Sequence, residues 1–285
     1  MTLNWTERFL LVYASLPEHA MKWRIVSSLV KRCPHASQFK AQIKRMGVCF
    51  DVDCSNNTTD FLLTWFGACE KEELAIFKKY IKSGMTVIDA GANIGLHTLM
   101  SAKLTGPKGI VYAFEPNHIT RQRLEANLKL NNTRNAKIIT RAVSNKSNAG
   151  FLTSRGELGH AHLINLAGNA EPTLQGEEVN CVTLDDFAAE QKLERIDFIK
   201  VDIEGYEPNL IQGAQASLKK FKPIMLIEVN RKTLIRNNWM PSGLLNLIAQ
   251  AGFSVRNMKE QLIQCSDFTR FDNQDQHENI LAIPI

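Results

Sequence analysis

The chain lacks any pair of cysteines in CxxC spacing. Its six cysteines, at positions 33, 49, 54, 69, 181 and 265, are scattered, and none stands beside a histidine in a zinc-binding pattern. That excludes a zinc ribbon or a redox dithiol and predicts small buried thiols in a reducing compartment. Long apolar runs are also missing. The longest near the start, Phe9 to Leu16 (FLLVYASL), falls well short of the roughly 20 residues that cross a bilayer. Arg8 precedes it, but Pro17, Glu18 and His19 follow where a small-residue cleavage site would stand. A core helix of a cytoplasmic protein is expected there; a peripheral membrane contact through residues 5–32, with Trp5, Trp23 and several basic side chains, is the alternative. Charge of one sign is not concentrated either. The net charge is +5 with the Lys and Arg spread along the chain, and no basic-aromatic stripe or Asn-Pro-Pro-Tyr motif stands at 202–205, so no nucleic-acid partner is expected.

What is present is an ordinary globular composition, 44% hydrophobic and 22% charged over 285 residues, enough for one large domain or a domain with an extension. Residues 1–35 have helical spacing, with Leu10, Tyr13 and Ala14 on one face and Ile25, Leu29 and Val30 on another. Residues 38–66 read as short strands at 39–43 and 48–53 with a turn at 55–58, and 70–82 as a helix ended by Gly84. Residues 1–83 are therefore expected to form a helical and β-hairpin cap, and 84–285 the main domain. There, strand patterns at 86–90, 109–114, 137–143, 197–203, 223–229, 253–258 and 279–284 alternate with helical ones at 94–104, 117–131, 185–191, 207–219 and 241–250. This rhythm predicts a Rossmann-like α/β fold, a doubly wound, seven-stranded, mostly parallel sheet. Between 146 and 182 it fails among six glycine and proline positions, and a hairpin or loop over the strand ends is expected.

The first chemistry-bearing stretch is Gly91 to Gly95 (GANIG), between a strand and a helix. Asn93 and Leu96 break the G-x-G-x-x-G spacing, and the Gly-Lys-Ser/Thr ending of a P-loop is absent. What is left is a tight turn at a helix N-terminus that could meet a single carboxylate; the glycines alone would equally serve a close strand-to-helix turn. Glu115, ending the next strand, could accept both hydroxyls of a ribose diol. Together they ask for a nucleoside with a carboxylate nearby and no polyphosphate, and S-adenosylmethionine fits that description.

The second stretch is Ile199 to Glu207 (IKVDIEGYE). Its apolar start predicts the fourth strand, beside the first at the topological switch point. Asp202 and Glu204, two apart in an extended strand, would project the same way and could bind a divalent ion such as Mg²⁺, orient a hydroxyl or take a proton; equally they could hold a ligand ammonium or cap the next helix. His160 and His162 stand in the glycine-rich segment where a substrate could approach. His97 reads as a packing residue, Glu228 and Asn230 as borders of the same crevice, and Asp185 and Asp186 as a helix cap.

The ordered set VIDAGANIG (87–95), AFEP (113–116), VTLDD (182–186) and KVDIEGYE (200–207), with NILAIP (279–284) as a last strand, resembles the FkbM family of S-adenosylmethionine-dependent methyltransferases over roughly residues 60–284. The resemblance implies a class I methyltransferase fold and methyl transfer, mostly to oxygen on sugars, glycans or secondary metabolites. It implies that Asp89, Gly91, Asn93, Gly95 and Glu115, with Pro116 beside it, hold the cofactor and that Arg141, Ala142, Val143 and Ser144 border the adenine. From the residues themselves Asp202 is expected to serve both cofactor and catalysis, with Glu204 and His160 as further catalytic candidates, His160 having a solvated surface position as its alternative. A small-molecule or glycan acceptor is expected. A catalytically inactive binding or scaffold protein on the same fold is the rival reading.

Overall fold

The computed structural model describes residues 4–16, 21–33, 35–55, 58–67, 71–153, 162–164, 176–273 and 277–285. In chain order the elements are α1 (Trp5–Ala14), α2 (Lys22–Val30), β1 (Lys40–Arg45), β2 (Val48–Asp53), α3 (Thr58–Trp65), α4 (Lys71–Tyr80), β3 (Thr86–Ala90), α5 (Leu96–Thr105), β4 (Ile110–Phe114) and α6 (His118–Leu130). There follow β5 (Ala136–Ile139), β6 (Ala142–Val143), β7 (Ala149–Thr153), β8 (His162–Ile164), β9 (Gly176–Val182), α7 (Leu184–Glu190) and β10 (Phe198–Val201). The chain ends with α8 (Glu207–Gln212), α9 (Gln215–Phe221), β11 (Ile224–Val229), α10 (Arg231–Arg236), α11 (Pro241–Gln250), β12 (Phe253–Arg256) and β13 (Glu278–Pro284).

The main sheet has seven strands in the order β12-β13-β11-β10-β3-β4-β5. The five strands from β11 to β5 run parallel, and β13 is antiparallel to both of its neighbours. The expected fold class is therefore found, with the order reversing between β3 and β10. Alternate side chains fall on opposite faces, so each strand feeds two cores. Val87, Val111, Phe198 and Leu226 pack with α5, α6 and the N-terminal helices. Ile88, Tyr112, Ile199 and Ile227 pack with α7, α8, α9 and α11. Both faces are buried, which is why these strands read as near-continuous apolar runs.

The sequence reading departs from the structure at defined points. The expected strand 137–143 is broken: β5 ends at Ile139, and Ala142 and Val143 leave the main sheet to pair with Cys181 and Val182 of β9. β9 also pairs with β7, and β7 with β8, so the described part of 146–182 is a small second sheet; His160 lies outside the described residues. The expected helix 207–219 is two helices separated at Gly213, where a Cβ would stand 2.2 Å from the Ser144 carbonyl oxygen. The turn expected after β2 leads instead into α3, and α10 was not anticipated. Of the described cysteines, Cys33, Cys54 and Cys181 are buried as expected, but Cys265 is exposed.

The N-terminal hairpin is held to the sheet's helical layer by side chains that imitate a neighbouring strand. Asn131 of α6 accepts from the Cys49 amide and donates to its carbonyl, at 2.8 and 2.7 Å. Asn127, fully buried, accepts from the Asp51 amide and donates to the Ile94 carbonyl, both at 2.8 Å. Arg123 reaches the Asp51 carbonyl and the buried Asp60 carboxylate. An unpaired strand edge is thus satisfied without another strand. Asn127→Ala should leave the Asp51 amide and the buried Ile94 carbonyl without this partner and cost about 1–3 kcal/mol, read as a lowered denaturation midpoint; an unchanged midpoint would refute this account of the edge.

Candidate functional site

The candidate site is built at the C-terminal ends of β3 and β10, which stay paired through Ala90 and Val201. β3 ends at Ala90, and Gly91 (φ 85°), Asn93 (φ 50°) and Gly95 (φ 96°) turn the chain into α5 through left-handed conformations. Gly91 is required by contact as well as by φ: a Cβ there would lie 1.8 Å from the carbonyl oxygen of Asp202. At Asn93 the short side chain tolerates positive φ and accepts from the Ile94 amide at 2.8 Å.

Glu115 follows directly on β4 and faces this turn. One carboxylate oxygen accepts from the Asn93 amide at 2.8 Å and the other from the Asn117 amide at 2.9 Å. Burial pushes its pKa up to about 7, against the pull of those amides and of Arg121. Glu115 therefore fixes the turn, and each oxygen keeps one lone pair for an incoming hydroxyl. Pro116, half-buried beside it, gives its carbonyl to Arg121.

Across the turn, one face of the sheet carries a row of polar side chains. Asp89 and Lys200 are register partners on β3 and β10, and Asp202, just past the end of β10, turns back to Lys200. The Lys200 ammonium, 6% exposed, lies 2.7 Å from the Asp202 carboxylate. Glu228 of β11 hydrogen-bonds Asp202, and its register partner Asn279 donates to Glu73 of α4. Burial and the Asp202 charge push Glu228 far up, so it carries the proton of the pair. Burial works against the Asp202 charge too, but Lys200 outweighs it and holds Asp202 below the usual carboxylate range. Asp89 is fully buried and raised by burial; one oxygen accepts from Thr98 at 2.6 Å and the other has no hydrogen-bond partner. His97 packs on Phe77 with ring centroids 4.9 Å apart, and burial drives its pKa well below the ordinary value, consistent with a packing role.

Several expectations need correction. β10 ends at Val201, so Asp202 and Glu204 stand in a turn, with Glu204 at φ 55°; the same-side argument from strand periodicity does not apply to them. The carboxyl that ties this turn is Glu207, whose Oε1 accepts from the Ile203 and Gly205 amides at 3.0 and 3.1 Å. Asp185 caps α9, accepting from Ala216 and Ser217, while Thr183 caps its own helix. Asn230 caps α10. Ala142 and Val143 are buried in apolar clusters, the first with Tyr206 and Cys181, the second with Phe114 and Phe187. Among the described residues no group of three or more His, Cys, Asp or Glu could hold a metal ion, and Asp202 is already engaged by Lys200 and Glu228, so the Mg²⁺ option has no ligand set here. Lys200, Glu207, Glu73 and Asn279 were not singled out in advance. A lysine inside the apolar strand FIKV was the one available signal.

A family model described as a methyltransferase FkbM domain matches residues 89–255. The AMB antimetabolite synthetase AmbE of Pseudomonas aeruginosa is 28% identical over 235 residues, covering 69% of this chain and 11% of that protein. The chain thus spans about a tenth of the length of that relative. The methyltransferase sdnD of Sordaria araneosa is 28% identical over 219 residues, covering 61% of this chain and 76% of that protein. Among solved structures, a methyltransferase FkbM from Methylobacillus flagellatus aligns with TM-score 0.44 and 16% identity, over 78% of this chain and 52% of that one.

Glu207 is 1% exposed, and burial raises its pKa to about 7 while one oxygen has no partner. The folded chain therefore holds this proton more tightly than the unfolded chain. Its stabilising contribution is complete below the ordinary glutamate value and is lost as pH rises toward about 7. Relative to wild type, Glu207→Gln should gain about 2 kcal/mol of stability between about pH 5 and pH 8 in urea denaturation. A difference that stays flat with pH would show that Glu207 is not buried as an acid.

Proposed function

The chain belongs to the FkbM methyltransferase family, and from that membership we propose that it transfers a methyl group from S-adenosylmethionine to a hydroxyl of a sugar, glycan or secondary metabolite. The observation that carries this reading is the Gly91–Gly95 turn held under Glu115 and against the Asp202 carbonyl. A side chain at Gly91 would collide with the Asp202 backbone, so the turn closes on the neighbouring strand end with only a hydrogen between them, and Glu115 keeps acceptor capacity beside it. That cradle suits a ribose and an amino-acid moiety, and its acidic surroundings disfavour a polyphosphate. We take residues 1–83 as a cap that shapes the acceptor pocket, 84–285 as the methyltransferase domain, and the cytoplasm as the working compartment.

In this reading Gly91, Asn93 and Gly95 shape the cofactor seat, Asp89 steadies it from beneath through Thr98, and Glu115 accepts the ribose hydroxyls. Bound S-adenosylmethionine supplies a methyl already activated by its sulfonium. What the chain must add is alignment of the attacking oxygen and a destination for its proton. Asp202, kept ionised by Lys200, accepts the hydrogen bond of the hydroxyl and orients it. The Asp202–Glu228 pair holds one proton and one negative charge and titrates as a unit. Glu204 lies near enough to raise Glu228 and is assigned to the acceptor side; His160 remains a candidate base.

Calorimetry with S-adenosylmethionine should show binding to the wild type and a loss of roughly tenfold or more in Glu115→Gln, which removes a charge from the diol acceptor. Absence of binding to the wild type would favour the inactive scaffold. Asp202→Asn should retain cofactor affinity while release of S-adenosylhomocysteine falls about 100-fold or more across a panel of hydroxylated acceptors. Turnover at the native rate would remove Asp202 from its role.

A further inference from the structure

The outward side of α1 is apolar. Trp5, Phe9, Val12 and Leu16 recur at i, i+4, i+7 and i+11, the spacing of one helical stripe, and they are 87, 52, 66 and 48% exposed. The opposite side, through Leu10 and Ala14, is packed into the core. A helix that is apolar on both sides is ordinarily enclosed, yet this stripe faces outward.

Its neighbour α2 is basic. A groove of about 520 Å³ is lined by Trp23, Arg24, Ser27, Ser28, Lys31 and Arg32, three cations and two hydroxyls around one indole. Exposed Met21 and Trp23 open this helix. Buried Lys22 donates to the carbonyls of Ala14 and Leu16, at 3.0 and 2.7 Å, which ties the end of the apolar stripe to the start of the basic groove. The only carboxylate among the described residues from 4 to 33 is Glu7, and it is 1% exposed, turned back to cap α1. The exposed charges of the two helices are therefore Arg8, Arg24, Lys31 and Arg32, all positive.

We propose that α1 and α2 form a docking surface for an anionic membrane, with the α1 stripe entering the headgroup layer and the α2 groove receiving lipid phosphates. The pairing of chemistries selects this occupant. A nucleic acid would satisfy the cations but leave the stripe in water. A second copy would cover the stripe but bring two sets of like charges together. A membrane interface supplies apolar depth and negative charge at once, and favours indole side chains at its boundary. No helix among the described residues is long and apolar enough to cross a membrane, so the attachment would be peripheral.

The test is co-sedimentation of the full chain with vesicles of phosphatidylcholine alone or with about 30 mol% phosphatidylserine. Binding should be at least about tenfold tighter to the anionic vesicles and should weaken as salt rises. The double variant Phe9→Ser, Val12→Ser should lose about tenfold or more of this affinity. Arg24→Gln with Lys31→Gln should remove the preference for anionic lipid. Since all four positions are exposed, both variants should melt at the wild-type temperature. Equal or undetectable binding to the two vesicle types, or wild-type affinity in both variants, would overturn the proposal. So would a wild-type dimer that Phe9→Ser dissolves.

Discussion

One ammonium group with almost no access to water organises the polar face of the sheet at the candidate site. Lys200 sits in an apolar strand at the switch point; the carboxyls of Asp89, Asp202 and Glu73 feel its charge, and Glu228 joins them through Asp202. So many acids in a desolvated layer repel one another, and each would take up a proton if left alone. Lys200 breaks that symmetry. It selects Asp202 as the member that stays ionised and leaves Glu228 as the proton carrier. A buried cation of this kind adds little net stability, because its own desolvation offsets its attractions. What it contributes is a fixed distribution of charge at the mouth of the crevice.

A second constraint is steric. β3 and β10 approach so closely at their ends that the backbone of Asp202 lies where a Gly91 side chain would be. Glu115 and Glu207 then hold the two turns, one on each side, by accepting pairs of backbone amides. Both are buried acids with pKa values near 7, so the two loops that frame the crevice are braced by groups whose charge state changes in the neutral range. Positioning and titration are here the same set of bonds.

The parallel sheet was legible because strands buried on both faces leave uninterrupted apolar runs, as in Val87 to Ala90 and Ile110 to Phe114. Gly91, Asn93 and Glu115 were legible because their chemistry is local: a left-handed turn and a carboxyl at a strand end. Glu207 was not, since the bonds it makes run backward to Ile203 and Gly205, a tie that no spacing in the sequence reports. Glu73 and Asn279 meet across more than half the chain, and no periodicity reports such a pair. The break after Ile139 and the departure of Ala142 and Val143 to β9 depend on a segment whose pairing is set by the fold and not by the strand's own composition.

The asparagine edge on α6 has an evolutionary corollary. Asn127 touches the hairpin through Asp51 and the Gly91–Gly95 turn through Ile94, and Asn131 and Arg123 complete the same seam. An N-terminal segment exchanged between relatives would arrive without the matching half of this seam unless α6 travelled with it. The unit that carries the hairpin is then discontinuous along the chain, and shuffling experiments should cut around the seam and not through it.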